Sequence, residues 1–197
     1  MKKLILTLLV AIFVSGCASP KAVTKNYLVD QKDKYIAINL DVDAGRYVAM
    51  HEANVVEHIY DSFEQSGLFS DVETSFRRWP VTVQVKYSWE QPEINTGKGF
   101  AKTMVSASTL LLIPAVLTEN HTLKVRIVSG NNIVEAFEFT EEVETALSLY
   151  HDPVEDRKNG ISRMMDKVFD KIKKEKLIPT VMAIEKQIKA QQQKITL

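Results

Sequence analysis

VTVQVKYSWE, residues 81–90, alternates without a break. Val81, Val83, Val85, Tyr87 and Trp89 fall on one side, and Thr82, Gln84, Lys86 and Ser88 on the other. A period of two is that of a β-strand whose one face packs on a core while the other meets water or a partner. Working outward, TLKVRIVS and IVEAFEFTEEVET flank Gly130-Asn131-Asn132. That pattern predicts a hairpin, with Leu123, Val125 and Ile127 facing inward. Upstream, YIAINL at 35–40 reads as a strand, and LFSDVETSF as the approach to a short one. Between them residues 47–66 read as a helix, with Val48, Val55, Ile59 and Phe63 near one face and Gly67 as its stop. Past Asp152-Pro153 the period becomes helical, and Ile161, Met165, Val168 and Ile172 form the apolar stripe. Asp152 can cap that helix with Pro153 at its first position, or Asn159 can cap a later start. Lys171, Lys173, Lys174 and Lys176 suit its C-terminal end. The expected fold is α+β: a mostly antiparallel sheet with two or three helices packed on it, in a single domain spanning 35–178. Residues 179–197 read as a polar C-terminal helix or tail.

Composition agrees with a globular chain. Of 197 residues, 45% are hydrophobic and 25% charged, with 25 basic and 25 acidic side chains. The balance gives no basic excess and so no sign of a nucleic-acid partner. A single cysteine, Cys17, cannot form an internal disulfide, so the fold rests on its apolar core.

That cysteine ends a distinctive N-terminus. Lys2 and Lys3 precede an apolar run from Leu4 to Val14, interrupted only by Thr7, and then come Ser15 and Gly16. A membrane-spanning helix needs about 20 apolar residues, so this run is too short to span. A charged start, a short apolar stretch and small residues are the marks of a cleaved signal peptide. Val14-Ser15-Gly16-Cys17 resembles the lipobox of bacterial lipoproteins. The resemblance implies that residues 1–16 are removed, that Cys17 becomes the first residue, and that acyl chains on Cys17 anchor the protein. Two or three chains on one residue hold stably where a single chain does not. Inner-membrane members often carry aspartate after the cysteine. Ala18 stands there, which implies the outer membrane with the domain facing the periplasm. The order of elements also resembles the small α+β domains of periplasmic accessory lipoproteins. Residues 17–34, lipidated cysteine included, are polar and without period, and read as a flexible tether.

A second greasy stretch, TMVSASTLLLIPAVLTE at 103–119, is too short to span as a helix and lacks the alternation of a membrane β-strand. Three readings stand: a buried helix or crossover of the core, a surface for a protein partner or a second copy, and contact with lipid or a lipid ligand. Core burial is the first of them. If the segment is instead a contact surface, Leu110, Leu111, Leu112, Ile113, Val116 and Leu117 carry it.

Chemistry-bearing patterns are sparse. His51 and His58 are about 10.5 Å apart along a helix, too far to share a zinc ion, and read as a surface pair. Ser148-Leu149-Tyr150-His151-Asp152 gathers polar groups but reads as an approach to the following helix. Glu141, Glu142 and Glu144 form a charge run without the ligand pattern of a calcium loop. No catalytic residue, metal or cofactor is expected. The chain reads as a lipid-anchored, non-catalytic accessory or assembly subunit with an envelope partner or self-association. Carriage of an apolar ligand is the alternative, and an envelope hydrolase the second.

Overall fold

The alternation at 81–90 becomes the centre of the molecule. The computed structural model describes residues 24–44, 53–74, 78–93 and 96–195. Its strands are β1 (Ile38–Asp43), β2 (Val72–Glu73), β3 (Val81–Glu90), β4 (Ala115–Ser129) and β5 (Asn132–Leu147). Its helices are α1 (Ala53–Gln65), α2 (Gly97–Ser108), α3 (Pro153–Glu175) and α4 (Val181–Ile195). The strands form one sheet in the order β2-β1-β3-β4-β5. β1 runs parallel to both β2 and β3, while β3–β4 and β4–β5 are antiparallel. The class is α+β, with four helices among the described residues.

Period-two residues of β3 and β4 divide as expected. Val81, Val83, Val85, Tyr87, Leu123, Val125 and Ile127 are buried, and Trp89 is half-buried. They meet Val55, Ile59 and Phe63 of α1, and Ile161, Met165, Val168 and Ile172 of α3, all buried. Each such side chain taken out of water contributes about 1.5–3 kcal/mol. Phe63 and Phe169 pack edge to face at 5.2 Å, the geometry that the ring quadrupole favours. The opposite face, with Lys86, Ser88, Lys124 and Arg126, lies open to water.

Local chemistry sets the ends of the elements. Gly130, at φ 59°, opens the two-residue turn between Ser129 and Asn132, which a hairpin's twist requires of a left-handed residue. Gly67, at φ 69°, follows α1. The carboxylate of Asp152 accepts from Val154 N at 2.9 Å, and Pro153 takes the first helical position of α3. Asn159 therefore lies inside the helix. Lys173 and Lys174 occupy its last turn, and Lys176 caps it in the left-handed conformation.

Three expectations change. The tether does not run free to residue 34. Tyr27 is buried against Phe169, its N–H donates to Ser66 O at 2.7 Å, and Lys25 pairs with Asp170 at 3.7 Å. One aromatic side chain inserted between two helices docks a segment that has no period of its own. His58 is not on the surface: its Nε2 lies 2.8 Å from Ser162 Oγ, buried between α1 and α3. The stretch 103–119 is not one buried element. Its first part belongs to α2, its last to β4, and an irregular turn links them. The signal peptide, Cys17 and the chain to Val23 lie outside the described residues, as do Val48 and His51. The polar C-terminus is the helix α4, tied to residues 32–34 by Val181 N–Lys34 O (2.9 Å) and Met182 N–Lys32 O (3.0 Å).

Candidate functional site

α2 is turned against the usual rule for a surface helix. Its buried residues are the small ones, Gly99 and Ser106, whereas Phe100, Met104 and Val105 stand more than half exposed. A packed helix normally puts its large apolar residues inward. The reason begins at its start. Thr96 caps the helix, its Oγ1 accepting from Gly99 N at 3.1 Å. A Cβ at Gly99 would stand 2.0 Å from Glu93 O, so only glycine lets the helix lie this close to the preceding loop. Lys102 fixes the other side, donating to Glu93 at 2.9 Å and to Val116 O at 3.0 Å.

The turn after α2 is held in a costly form. Leu110 and Leu111 both adopt positive φ, 52° and 62°. That conformation costs an L-residue about 1–2 kcal/mol. Leu111 N bonds Ser106 O at 2.8 Å, and Leu111 O accepts from Leu149 N at 3.3 Å. The second bond joins this turn to residues 148–151, where Leu149 is 62% and Tyr150 82% exposed. Leu110, Leu111, Leu112, Ile113 and Val116 are exposed as well, Leu110 at 75%. Together these side chains form an apolar tip at one end of the sheet. Leu117 is not part of it: at 2% exposure it faces the core, because it stands one residue out of phase with Val116 on β4. A shallow groove of about 510 Å³ runs between α2 and residues 113–116, lined by Lys98, Ala101, Val105, Ile113, Pro114 and Val116.

Beneath the tip lies a charged interior. Glu119 and His121 continue the inward row of β4 and are fully buried. Arg157 of α3 donates to both Glu119 oxygens at 2.8 Å, a bidentate pair, and its guanidinium lies 5.0 Å from the ring centre of Trp89. His121 Nε2 lies 3.0 Å from Glu119 Oε2, and its Nδ1 lies 2.7 Å from the Tyr87 hydroxyl. Gln91 also donates to Glu119. Burial alone would raise the Glu119 pKa; the hydrogen bonds from Arg157 and His121 overcome it and hold the group at about 2 against an ordinary 4.5. The cluster ties β3, β4 and the first turns of α3 together.

The sequence-level candidates fall into place unevenly. Asp152 caps α3, while His151 pairs with Asp156, which also accepts from Ala146 N. That run of polar residues braces the turn carrying Leu149 and Tyr150. Glu141 is paired with Arg163 and Lys167. The Glu119–Arg157 pair was not anticipated, although a charged residue on the inward row of a strand is a signal that its partner must come from a facing element. Among the described residues no group of three or more His, Cys, Asp or Glu is placed to hold a metal ion. No described helix is long and apolar enough to cross a membrane.

No family model matches this sequence, and no curated protein matches it. Solved structures do. A Xanthomonas campestris protein of the DUF330 family is 8% identical, covering 76% of this chain and 90% of its own, at a TM-score of 0.50. A minor lipoprotein from Acinetobacter baumannii is 11% identical, covering 74% and 98%, at 0.42. Rare lipoprotein B from Shewanella oneidensis is 11% identical, covering 70% and 92%, at 0.26. What the chain shares with the Xanthomonas protein is its fold.

Proposed function

We propose that this chain is a lipid-anchored protein of the bacterial envelope that acts by binding, as an accessory or assembly subunit, and that its working surface is the apolar tip. Acyl chains on Cys17 hold it to the outer membrane, with the domain facing the periplasm. The observation that carries the reading is the clustering of exposed Phe100, Met104, Leu110, Leu112, Ile113 and Tyr150 on α2, the turn after it and the neighbouring turn, whereas the exposed Leu28, Ile133, Val134 and Ile188 lie on other segments. Contiguous apolar surfaces of this kind mark contacts. Strain at Leu110 and Leu111 supports it, since left-handed leucines persist only where the surroundings over-determine them.

Crosslinking followed by pull-down from intact envelopes tests the proposal, comparing the native chain with Leu110→Asn/Leu112→Asn/Ile113→Asn. The variant should fold normally and lose its crosslinked neighbours; an unchanged set of neighbours would remove the tip from the function. Cys17→Ala should leave an unprocessed precursor, and its normal maturation would remove the anchor. The groove beside α2 favours a second reading, carriage of an apolar ligand. Solvent extraction of the purified chain and mass spectrometry would reveal a bound lipid if that reading holds.

A further inference from the structure

From Tyr27 back to Thr24 the chain heads toward the end of the molecule that carries the tip. Thr24 Oγ1 lies 3.4 Å from Ser62 Oγ, and Tyr27 N donates to Ser66 O. Going back from Tyr27 to Thr24 therefore climbs one turn of α1 toward that helix's N-terminus. α1 and α3 run in the same direction, since His58 meets Ser162 and Phe63 meets Phe169. By that pairing Ser62 stands level with residues 166–168 of α3. Pro153 is then about 14 residues higher, or about 21 Å at 1.5 Å per residue. Seven residue steps separate Thr24 from Cys17, a reach of about 23–25 Å when extended. The chain thus sets off in the right direction, and is long enough, for Cys17 to come level with the turn holding Leu149 and Tyr150.

The chemistry of the tip suits a lipid surface. Residues 96–118 contain two lysines and no carboxylate, in a chain with 25 acidic residues. Lys98 is exposed at the edge of the groove. A tip of leucines with a lysine at its rim and an exposed tyrosine beside it matches the layers of a bilayer boundary. There acyl chains take the aliphatic groups, headgroups the tyrosine, and anionic phosphates the lysine.

Resting on the reading of Cys17 as acylated and of the tip as the working surface, we propose that the tip seats the domain on the bilayer in which the acyl chains of Cys17 are embedded. Leu110, Leu112, Ile113 and Leu149 enter the acyl boundary, and Tyr150 and Lys98 meet the headgroups. The domain is then held at two points, which fixes its orientation. Its open polar sheet face, with Lys86, Lys124 and Arg126, stays free for a protein partner.

The test uses the full mature, acylated chain in vesicles of phosphatidylethanolamine and phosphatidylglycerol with brominated acyl chains. With Cys17 acylated, Leu112→Cys offers a single thiol for a fluorescent label, and Lys174→Cys, at the far end of α3, provides the reference. Both sites are exposed, so both variants should fold. The expected result is flotation of both with the vesicles and loss of most emission at residue 112 with little loss at 174. Flotation with equal, weak quenching at the two sites overturns the seating and returns the tip to a protein partner. Failure to float overturns the acyl anchor, and the seating with it.

Discussion

Two neighbouring regions of the molecule reverse the usual distribution of polarity, and they adjoin on one strand. The inward row of β4 buries Glu119 and His121 completely, while the turn feeding the same strand leaves Leu110, Leu112 and Ile113 largely in water. Side-chain hydrophobicity explains neither. The glutamate is buried because Arg157, Gln91 and His121 meet its oxygens. The leucines follow α2, which turns its small Gly99 and Ser106 inward, and two of them sit in a left-handed turn whose backbone aims them outward. Where the backbone aims a side chain, and whether a partner waits there, decides burial. The buried cluster is a polar bed joining β3, β4 and α3, and the exposed one is the tip at the start of the same β4.

The largest effect should come from breaking that bed. Arg157→Ala leaves Glu119 buried without its cation, a change that costs about 3–5 kcal/mol in comparable buried pairs. Urea unfolding of the variant should show a correspondingly lower midpoint. A loss under 1 kcal/mol would mean that water already reaches the carboxylate.

Acid should weaken the bed next. Glu119 sits at about 2 in the folded chain against 4.5 when free, so its contribution is fully present above pH 4.5 and disappears as pH falls toward 2. The loss is on the order of 3 kcal/mol. Burial also lowers the His58 pKa, so protonation of the unfolded chain draws stability the same way below pH 6.5. In Glu119→Gln the acid limb of thermal stability against pH should be flatter than in the native chain.

A smaller effect is expected where α3 meets β5. A Cβ at Gly160 would stand 2.4 Å from Val143 Cγ2. Overpacking of about 1–3 kcal/mol exceeds the roughly 1 kcal/mol that alanine contributes to a helix, for a net loss of about 1 kcal/mol in Gly160→Ala. Calorimetry would resolve it.

The tip should respond in the opposite way. Leu110→Gly relieves a left-handed leucine and removes little buried area, so stability should hold or rise by at most about 1 kcal/mol. Its crosslinked neighbours should diminish all the same. A variant that lost stability would show Leu110 to be packed, which would break the contrast between bed and tip.

The inward rows of β3 and β4, the apolar faces of α1 and α3, and the Asp152-Pro153 start of α3 were readable because each follows a period or a capping rule. The tip was not. The run Leu110–Ile113 carries no period, so composition alone pointed to the core. Its direction is set by two left-handed residues and by the bond from Leu149 N to Leu111 O, a contact between distant residues that no local rule encodes. Residues 24–34 misled for the mirror reason: one tyrosine suffices to dock a polar segment, and a single residue has no period.

By itself the sequence determined the α+β class, the strand that anchors the sheet and the direction of the inward rows. All of these are local, set by side-chain alternation, helical spacing or a short run of residues. Only the tertiary structure decided that a glutamate would be buried, that a leucine-rich turn would be exposed, and that chain entry and tip would point to the same end. Each of those outcomes depends on contacts between residues far apart in the chain, such as Glu119 with Arg157 and Thr24 with Ser62.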